Sequence, residues 1–131
     1  MKITLEQAMQ EAVTAHTDGK IEEAERIYQS ILQVKPNHGG ANHNLGLVAI
    51  SSGKIGMAIK LFKTALEESP HVAQFWLSYI DSLLKANQVH NARRVIAQAK
   101  RHNFPQEKLH KYDDILKETT EATSLEGKPP C

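Results

Sequence analysis

An internal repeat of 34 residues constrains the fold of this chain more than any other feature of its sequence. Shifting the sequence by this period brings small, turn-forming and large apolar residues into three registers: Ala24, Ala58 and Ala92; Gly19, Gly53 and Asn87; Tyr28, Phe62 and Ile96. A fixed period of this length is typical of arrays in which each unit covers the apolar face of the next. The period divides the chain into units of about 5–38, 39–72 and 73–106.

Each unit contains two stretches with apolar residues at helical spacing, separated by a short break. The pattern predicts helices over about 5–17, 20–33, 38–51, 54–68, 72–86 and 88–101. Thr4 and Gln7 form a capping box at the first helix start. Pro36 and Pro70 end the first two units, because proline lacks a backbone donor and restricts the residue before it.

A seventh helix is predicted over about 106–118, with Leu109 and Tyr112 on one apolar stripe and charged residues on the other side. An array of this type needs a terminal element with a polar outer face, so we expect this helix to cap the third unit. The domain would then span 1–118. Residues 119–131 contain few apolar side chains and a Pro-Pro pair, and the sequence predicts that they are disordered.

These registers resemble the tetratricopeptide repeat. In the middle unit the family's signature positions are occupied by Leu45, Gly46, Gly53, Ala58, Phe62, Ala65 and Pro70. The third unit supplies the tryptophan of the signature as Trp76. The resemblance covers about residues 5–106 and implies an all-α, right-handed α-solenoid of three helix–turn–helix repeats. A looser similarity, carried by the sequence ANHNLG, is to repeats fused to bacterial glycosyltransferases.

Composition narrows the possible partners. The formal net charge is +1, with 16 basic and 15 acidic residues. This balance argues against nucleic acid or a membrane surface as the partner, because phosphate binding requires a basic excess. No stretch reaches the ~18 apolar residues of a membrane span, and the single cysteine, Cys131, excludes an internal disulfide. We therefore expect a cytoplasmic protein.

No catalytic constellation is apparent in the sequence. The seven histidines include no pair at the i, i+4 spacing that would place two imidazoles on one helical face. Gly39, Gly40 and Gly53 lie at helix boundaries and form no phosphate-binding loop. We predict a protein that is not an enzyme and that needs no metal or other cofactor.

The resemblance implies that the first helix of each unit lines a concave groove that holds an extended peptide. Matching by position gives the candidate groove residues Gln10, Val13, His43, Asn44, Leu47, Gln74, Leu77, Ser78 and Asp81. Asn44 stands where the family places an asparagine, and a carboxamide can both donate to and accept from a peptide backbone. The family's carboxylate clamp is not reproduced, since Met9, Val13, Gln74 and Ser78 occupy the positions of its other residues.

The sequence thus favours a non-catalytic scaffold that binds a peptide or protein partner. Two alternatives remain: a recruitment or regulatory module of a larger transferase, and a structural unit that associates with itself. The expected oligomeric state is a monomer or a weak homodimer.

Overall fold

The computed structural model describes residues 3–113, and these residues form helices and turns without any strand. Six α-helices follow one another along the chain: α1 (Leu5–Thr17), α2 (Ile21–Val34), α3 (Gly39–Ser51), α4 (Ile55–Glu68), α5 (Ala73–Lys85) and α6 (Val89–Arg101). The six predicted helices are confirmed, and their ends differ from the predicted ones by no more than one residue. The fold is the predicted all-α solenoid.

The local signals behave as the sequence predicts. The hydroxyl of Thr4 accepts from the backbone N–H of Gln7 at 3.0 Å. The side-chain oxygen of Gln7 accepts from the backbone N–H of Thr4 at 2.9 Å, which completes the capping box. The turn within each unit requires a residue in the left-handed region. Gly19 (φ 82°), Gly53 (φ 75°) and Asn87 (φ 60°) supply it. Glycine and asparagine tolerate this conformation better than other residues, which explains their shared register.

The helices pair within each unit and the pairs then stack. Each helix packs against the next along the chain, and α1 also contacts α3 while α3 contacts α5. The first helices of the three units therefore lie side by side on one face, and α2, α4 and α6 form the opposite one. We call these the inner face and the outer face.

Small residues let the helices approach closely. Ala24, Ala58 and Ala92 are fully buried. Gly46 on α3 has the same role against α4, because a Cβ atom there would overlap the ring of Phe62. Phe62 itself is buried, as is Tyr28 one unit earlier. The registers found in the sequence are thus packing positions.

A side-chain hydrogen bond to a proline carbonyl stabilises the start of both α3 and α5, and different side chains donate it. Trp76 Nε1 donates to the carbonyl oxygen of Pro70 at 2.7 Å. Asn42 occupies the position 34 residues earlier and its Nδ2 donates to the carbonyl oxygen of Pro36 at 3.0 Å. Each bond ties the loop between two units to the helix that follows it.

The segment predicted as a capping helix begins with two short 3₁₀ turns, Gln106–Lys108 and His110–Tyr112. Leu109 and Tyr112 are buried and belong to the core cluster of the third unit, together with Phe104. The segment therefore covers the third unit with the predicted apolar stripe. Its described part is 3₁₀ up to Tyr112 and has α-helical backbone at Asp113. The rest of the predicted helix and the tail 119–131 lie outside the described residues.

Within residues 3–113, no helix combines the length and the apolar character that crossing a membrane requires.

Candidate peptide-binding groove

The inner face carries the residues that the sequence predicts for a peptide-binding groove, and the structure divides them by exposure. Gln10, Val13, Leu47 and Gln74 are exposed, while Asn44, Leu77 and Asp81 are partly buried. His43 and Ser78 are buried. Seven of the nine side chains are therefore open to solvent on this face at least in part.

Two apolar side chains are exposed on this face at equivalent positions. Val13 on α1 is 45% exposed and Leu47 on α3 is 37% exposed. They are 34 residues apart and so occupy the same position in successive units. An apolar partner side chain could displace water from either of them, and transfer of such surface out of water is favourable.

A chain of polar contacts joins α3 to α5 beneath this surface. His43 Nε2 lies 2.7 Å from Ser78 Oγ, and His43 Nδ1 lies 3.2 Å from Asn44 Oδ1. Gln74 Nε2 donates to the same Ser78 oxygen at 3.2 Å. With Asn44 Oδ1 as an acceptor, His43 carries its proton on Nδ1, and its Nε2 accepts from the Ser78 hydroxyl. Asn44 is then left with its Nδ2 group as a donor.

Burial determines the charge of this histidine. The pKa of His43 is lowered from its ordinary value of 6.5, chiefly because burial disfavours the imidazolium, and the contact with Asn44 offsets part of this effect. The ring stacks on Phe75 at a centroid distance of 4.7 Å and lies 5.4 Å from Phe62. His43 is therefore a neutral, close-packed residue near pH 7.

The predicted groove set needs a correction at His43 and Ser78. Both side chains are directed into the contact between α3 and α5, where each satisfies the other, and they are not available to a peptide. The reason is their position on the flank of the helix, which faces the neighbouring helix of the inner face. They orient Asn44 and Gln74 and do not line the groove themselves.

Asp81 is engaged by the C-terminal segment. The Tyr112 hydroxyl donates to Asp81 Oδ1 at 2.7 Å, and Lys111 Nζ lies 3.6 Å from Oδ2. Burial raises the pKa of Tyr112, and the hydrogen bond to Asp81 and its charge raise it further, so the phenol stays protonated and donates. Asp81 thus joins α5 to the C-terminal segment.

A family model described as tetratricopeptide repeat matches residues 49–111. Residues 49–111 thus carry the tetratricopeptide repeat that the sequence registers predict. No curated protein matches the sequence significantly.

Solved tetratricopeptide-repeat structures share the fold. The TPR domain of Sgt2 from Aspergillus fumigatus superimposes with a TM-score of 0.78 at 15% identity, over 97% of this chain and 85% of that one. The Yersinia enterocolitica type III secretion chaperone SycD, in complex with a peptide of the translocator YopD, gives 0.74 at 18% identity, over 98% of both chains. At these identities the similarity establishes the fold alone.

A third similar structure is a mutant O-GlcNAc transferase from Thermobaculum terrenum, with a TM-score of 0.66 and 24% identity. The match covers 76% of this chain but only 20% of the transferase.

One buried contact beneath the candidate groove was not foreseen from the sequence. The buried hydroxyl of Tyr28 lies beside Asn44 but forms no hydrogen bond of ordinary geometry. Burial raises the pKa of Tyr28, and the Asn44 side chain partly offsets this shift. The register of Tyr28 with Phe62 and Ile96 indicates burial correctly but gives no sign of a polar neighbour.

No group of three or more histidine, cysteine, aspartate or glutamate side chains suited to a metal ion occurs in the described part of the chain.

Proposed function

We propose that this chain is a non-catalytic interaction module that holds an extended peptide or a partner segment in the groove of the inner face, formed by α1, α3 and α5. The observation that carries the proposal is the placement of Asn44. It lies partly exposed at the middle of this face, its oxygen bonded to His43 and its amide group, which lies beside the Tyr28 hydroxyl, still able to donate. A side chain already fixed in this way loses little rotamer freedom when it binds a peptide backbone.

The surroundings of Asn44 favour a largely neutral peptide. Val13 and Leu47 offer two apolar contacts one unit apart, and Gln10 and Gln74 offer exposed amides. The acidic residue predicted for the groove, Asp81, already bonds to Tyr112 and Lys111. A groove of this kind would bind through apolar contact and backbone hydrogen bonds, and its affinity would depend little on salt.

The similarity to SycD adds support, since that protein is described in complex with a peptide. A flexible peptide loses conformational entropy when it is ordered on binding, and this loss offsets much of the favourable free energy of the contacts. We therefore expect an affinity of roughly micromolar strength.

The experiment begins with a pull-down from the native lysate and mass spectrometry, and continues with a fragment of the captured partner. Calorimetric titration of this fragment should show Asn44→Ala weakening binding about tenfold, because buried peptide groups lose a partner. Leu47→Asp should weaken it at least as much. Val34→Asp is the matched control, since Val34 is 72% exposed and lies at the end of α2, outside the groove. Equal affinity in all four proteins would place the binding surface elsewhere.

A second candidate is a recruitment module of a larger transferase. The similarity to one-fifth of the O-GlcNAc transferase chain favours it. The genomic reading frame provides the test: a transferase domain in frame with residues 1–131 would support this candidate, and a stop codon directly after Cys131 would contradict it.

A further inference from the structure

The outer face contains two grooves that the repeat makes equivalent. The first outer groove lies between α2 and α4 and the second between α4 and α6. Each residue of the second has a counterpart 34 positions earlier in the first. The two grooves therefore serve as a comparison within one molecule, because the backbone architecture is the same and only the side chains differ.

The first outer groove is closed by its own side chains. Lys54 Nζ lies 3.8 Å from Glu25 Oε1, which bridges α2 to the start of α4, and Met57 fills the space beside this pair. Asn37 Nδ2 donates to Glu68 Oε2 at 3.2 Å at the other end. What remains leaves no room for a bound group.

The second outer groove is open, with a volume of about 650 Å³. The positions of the bridging pair Glu25 and Lys54 are taken by Ile59 and Gln88, which cannot form an ion pair. Asn91 stands in place of the filling residue Met57. The groove is open because the residues that close its counterpart are replaced.

The open groove has an apolar floor and a basic rim. Leu66, Trp76 and Leu83 form a buried floor, and the partly buried Tyr79 adds a second aromatic ring. The rim carries the exposed basic side chains of Lys60, Lys63 and Arg94. Among the described residues that line this groove, Glu67 is the one carboxylate.

The third unit as a whole is also basic. Residues 73–106 contain five basic residues and one acidic residue, whereas residues 5–38 contain three basic and six acidic residues. A net charge of +1 for the chain conceals this asymmetry. A basic surface of this extent attracts acidic partners and repels basic ones.

We propose that the second outer groove binds a short acidic segment of a partner protein that carries a large apolar side chain. The apolar side chain packs on the floor beside Trp76 and Tyr79. The flanking carboxylates pair with Lys60, Lys63 and Arg94. An apolar anchor with charges around it is the usual anatomy of a protein interface. This site is separate from the groove of the inner face and does not depend on it.

The test is a selection from a random twelve-residue peptide library displayed on phage, with the folded protein immobilised. Enriched peptides should be acidic and contain at least one large apolar residue. Their synthetic versions should bind the parent, and raising the salt concentration should weaken binding because exposed charges are screened. Lys60→Glu/Lys63→Glu/Arg94→Glu should reduce the affinity at least about tenfold, since several exposed pairs turn repulsive together.

Two further variants separate this groove from general charge. Lys20→Glu/Arg26→Glu/Lys35→Glu changes the net charge equally at exposed sites of the first unit and should retain binding. Ile59→Glu/Gln88→Lys/Asn91→Met leaves the net charge unchanged and installs the residues that close the first outer groove, so it should abolish binding.

The proposal is overturned if the enriched peptides are neutral or basic, or if no peptide is enriched. It is also overturned if the closing variant binds as the parent does, or if only Asn44→Ala and Leu47→Asp reduce binding. A fifth contrary outcome is that the parent sediments as an oligomer that Lys60→Glu/Lys63→Glu/Arg94→Glu dissociates, which would assign the groove to a second copy of this chain.

Discussion

The Nε2 atom of His43 lies 2.7 Å from the Oγ atom of Ser78, and the two residues are 35 positions apart in adjacent units. Both side chains are buried. The contact therefore joins α3 to α5 through a neutral imidazole, and the free energy of this interface depends on the protonation of one side chain.

The first prediction concerns pH. The folded pKa of His43 is lowered by burial, so below the unfolded value of about 6.5 the unfolded chain binds more protons than the folded one at this site. The contribution of His43 to the unfolding free energy is complete above that pH and is lost as the pH falls towards the folded pKa. Urea denaturation from about pH 7.5 to 5 should show the stability advantage of the parent over His43→Gln shrinking. The same difference at every pH would contradict this account.

The second prediction concerns the close approach of α3 and α4. Gly46→Ala should lower the unfolding free energy by about 1–3 kcal/mol, because the new methyl group overlaps the Phe62 ring. Gly56→Ala, in the first turn of α4, is the matched control. A Cβ there meets no atom within 4 Å, so the better helix propensity of alanine should stabilise the protein by up to about 1 kcal/mol. Chemical denaturation measures both, and equal effects would exclude the overlap as the cause.

The third prediction concerns the cap. Tyr112→Phe removes the donor to Asp81 and should cost about 0.5–1.5 kcal/mol, while Tyr112→Ala also leaves a cavity and should cost about 3–5 kcal/mol. Lys111→Ala should change little, since its ion pair with Asp81 is exposed on both sides. If thermal denaturation ranks Lys111→Ala as the most damaging, the segment is held to α5 by charge and not by burial of Tyr112.

Much of the fold could be predicted because repetition makes each local signal appear several times. Gly19, Gly53 and Asn87 all have the left-handed backbone that the turn between the two helices of a unit requires. Ala24, Ala58 and Ala92 are all buried at the equivalent helix–helix contact of their unit. The segment after Pro105 follows the third unit only once. Its apolar residues Leu109 and Tyr112 were placed correctly, but its backbone over 106–112 forms 3₁₀ turns. Apolar spacing does not decide between 3₁₀ and α, which are closely related helical forms.

The groove could be predicted less well, because residues close together on one helix can face either solvent or a neighbouring helix. His43 and Asn44 are neighbours in the chain, yet His43 is buried against Phe75 while Asn44 remains partly exposed. The outer groove was missed for a related reason. It is open because Ile59 and Gln88 cannot form an ion pair across it. This is recognised only by comparison with Glu25 and Lys54, which form that ion pair across the first outer groove.

The last prediction concerns the loops between units. Asn42 Nδ2 donates to the carbonyl oxygens of both Pro36 and His38, each at 3.0 Å, and the side chain is buried. Asn42→Ala should lower the unfolding free energy by about 1–3 kcal/mol, because two carbonyl groups lose their donor. Asn37→Ala, which removes an exposed bond to Glu68, should cost less than about 1 kcal/mol.

The substitution Trp76→Phe tests the same principle one unit later. It keeps an aromatic ring on the floor but removes the donor to Pro70, so it should also destabilise the protein. Hydrogen exchange measured by mass spectrometry should then show faster exchange at the start of α5 in Trp76→Phe and at the start of α3 in Asn42→Ala. Exchange that quickens equally along the whole chain in both variants would mean that these bonds stabilise the fold only globally and do not fix the individual junctions.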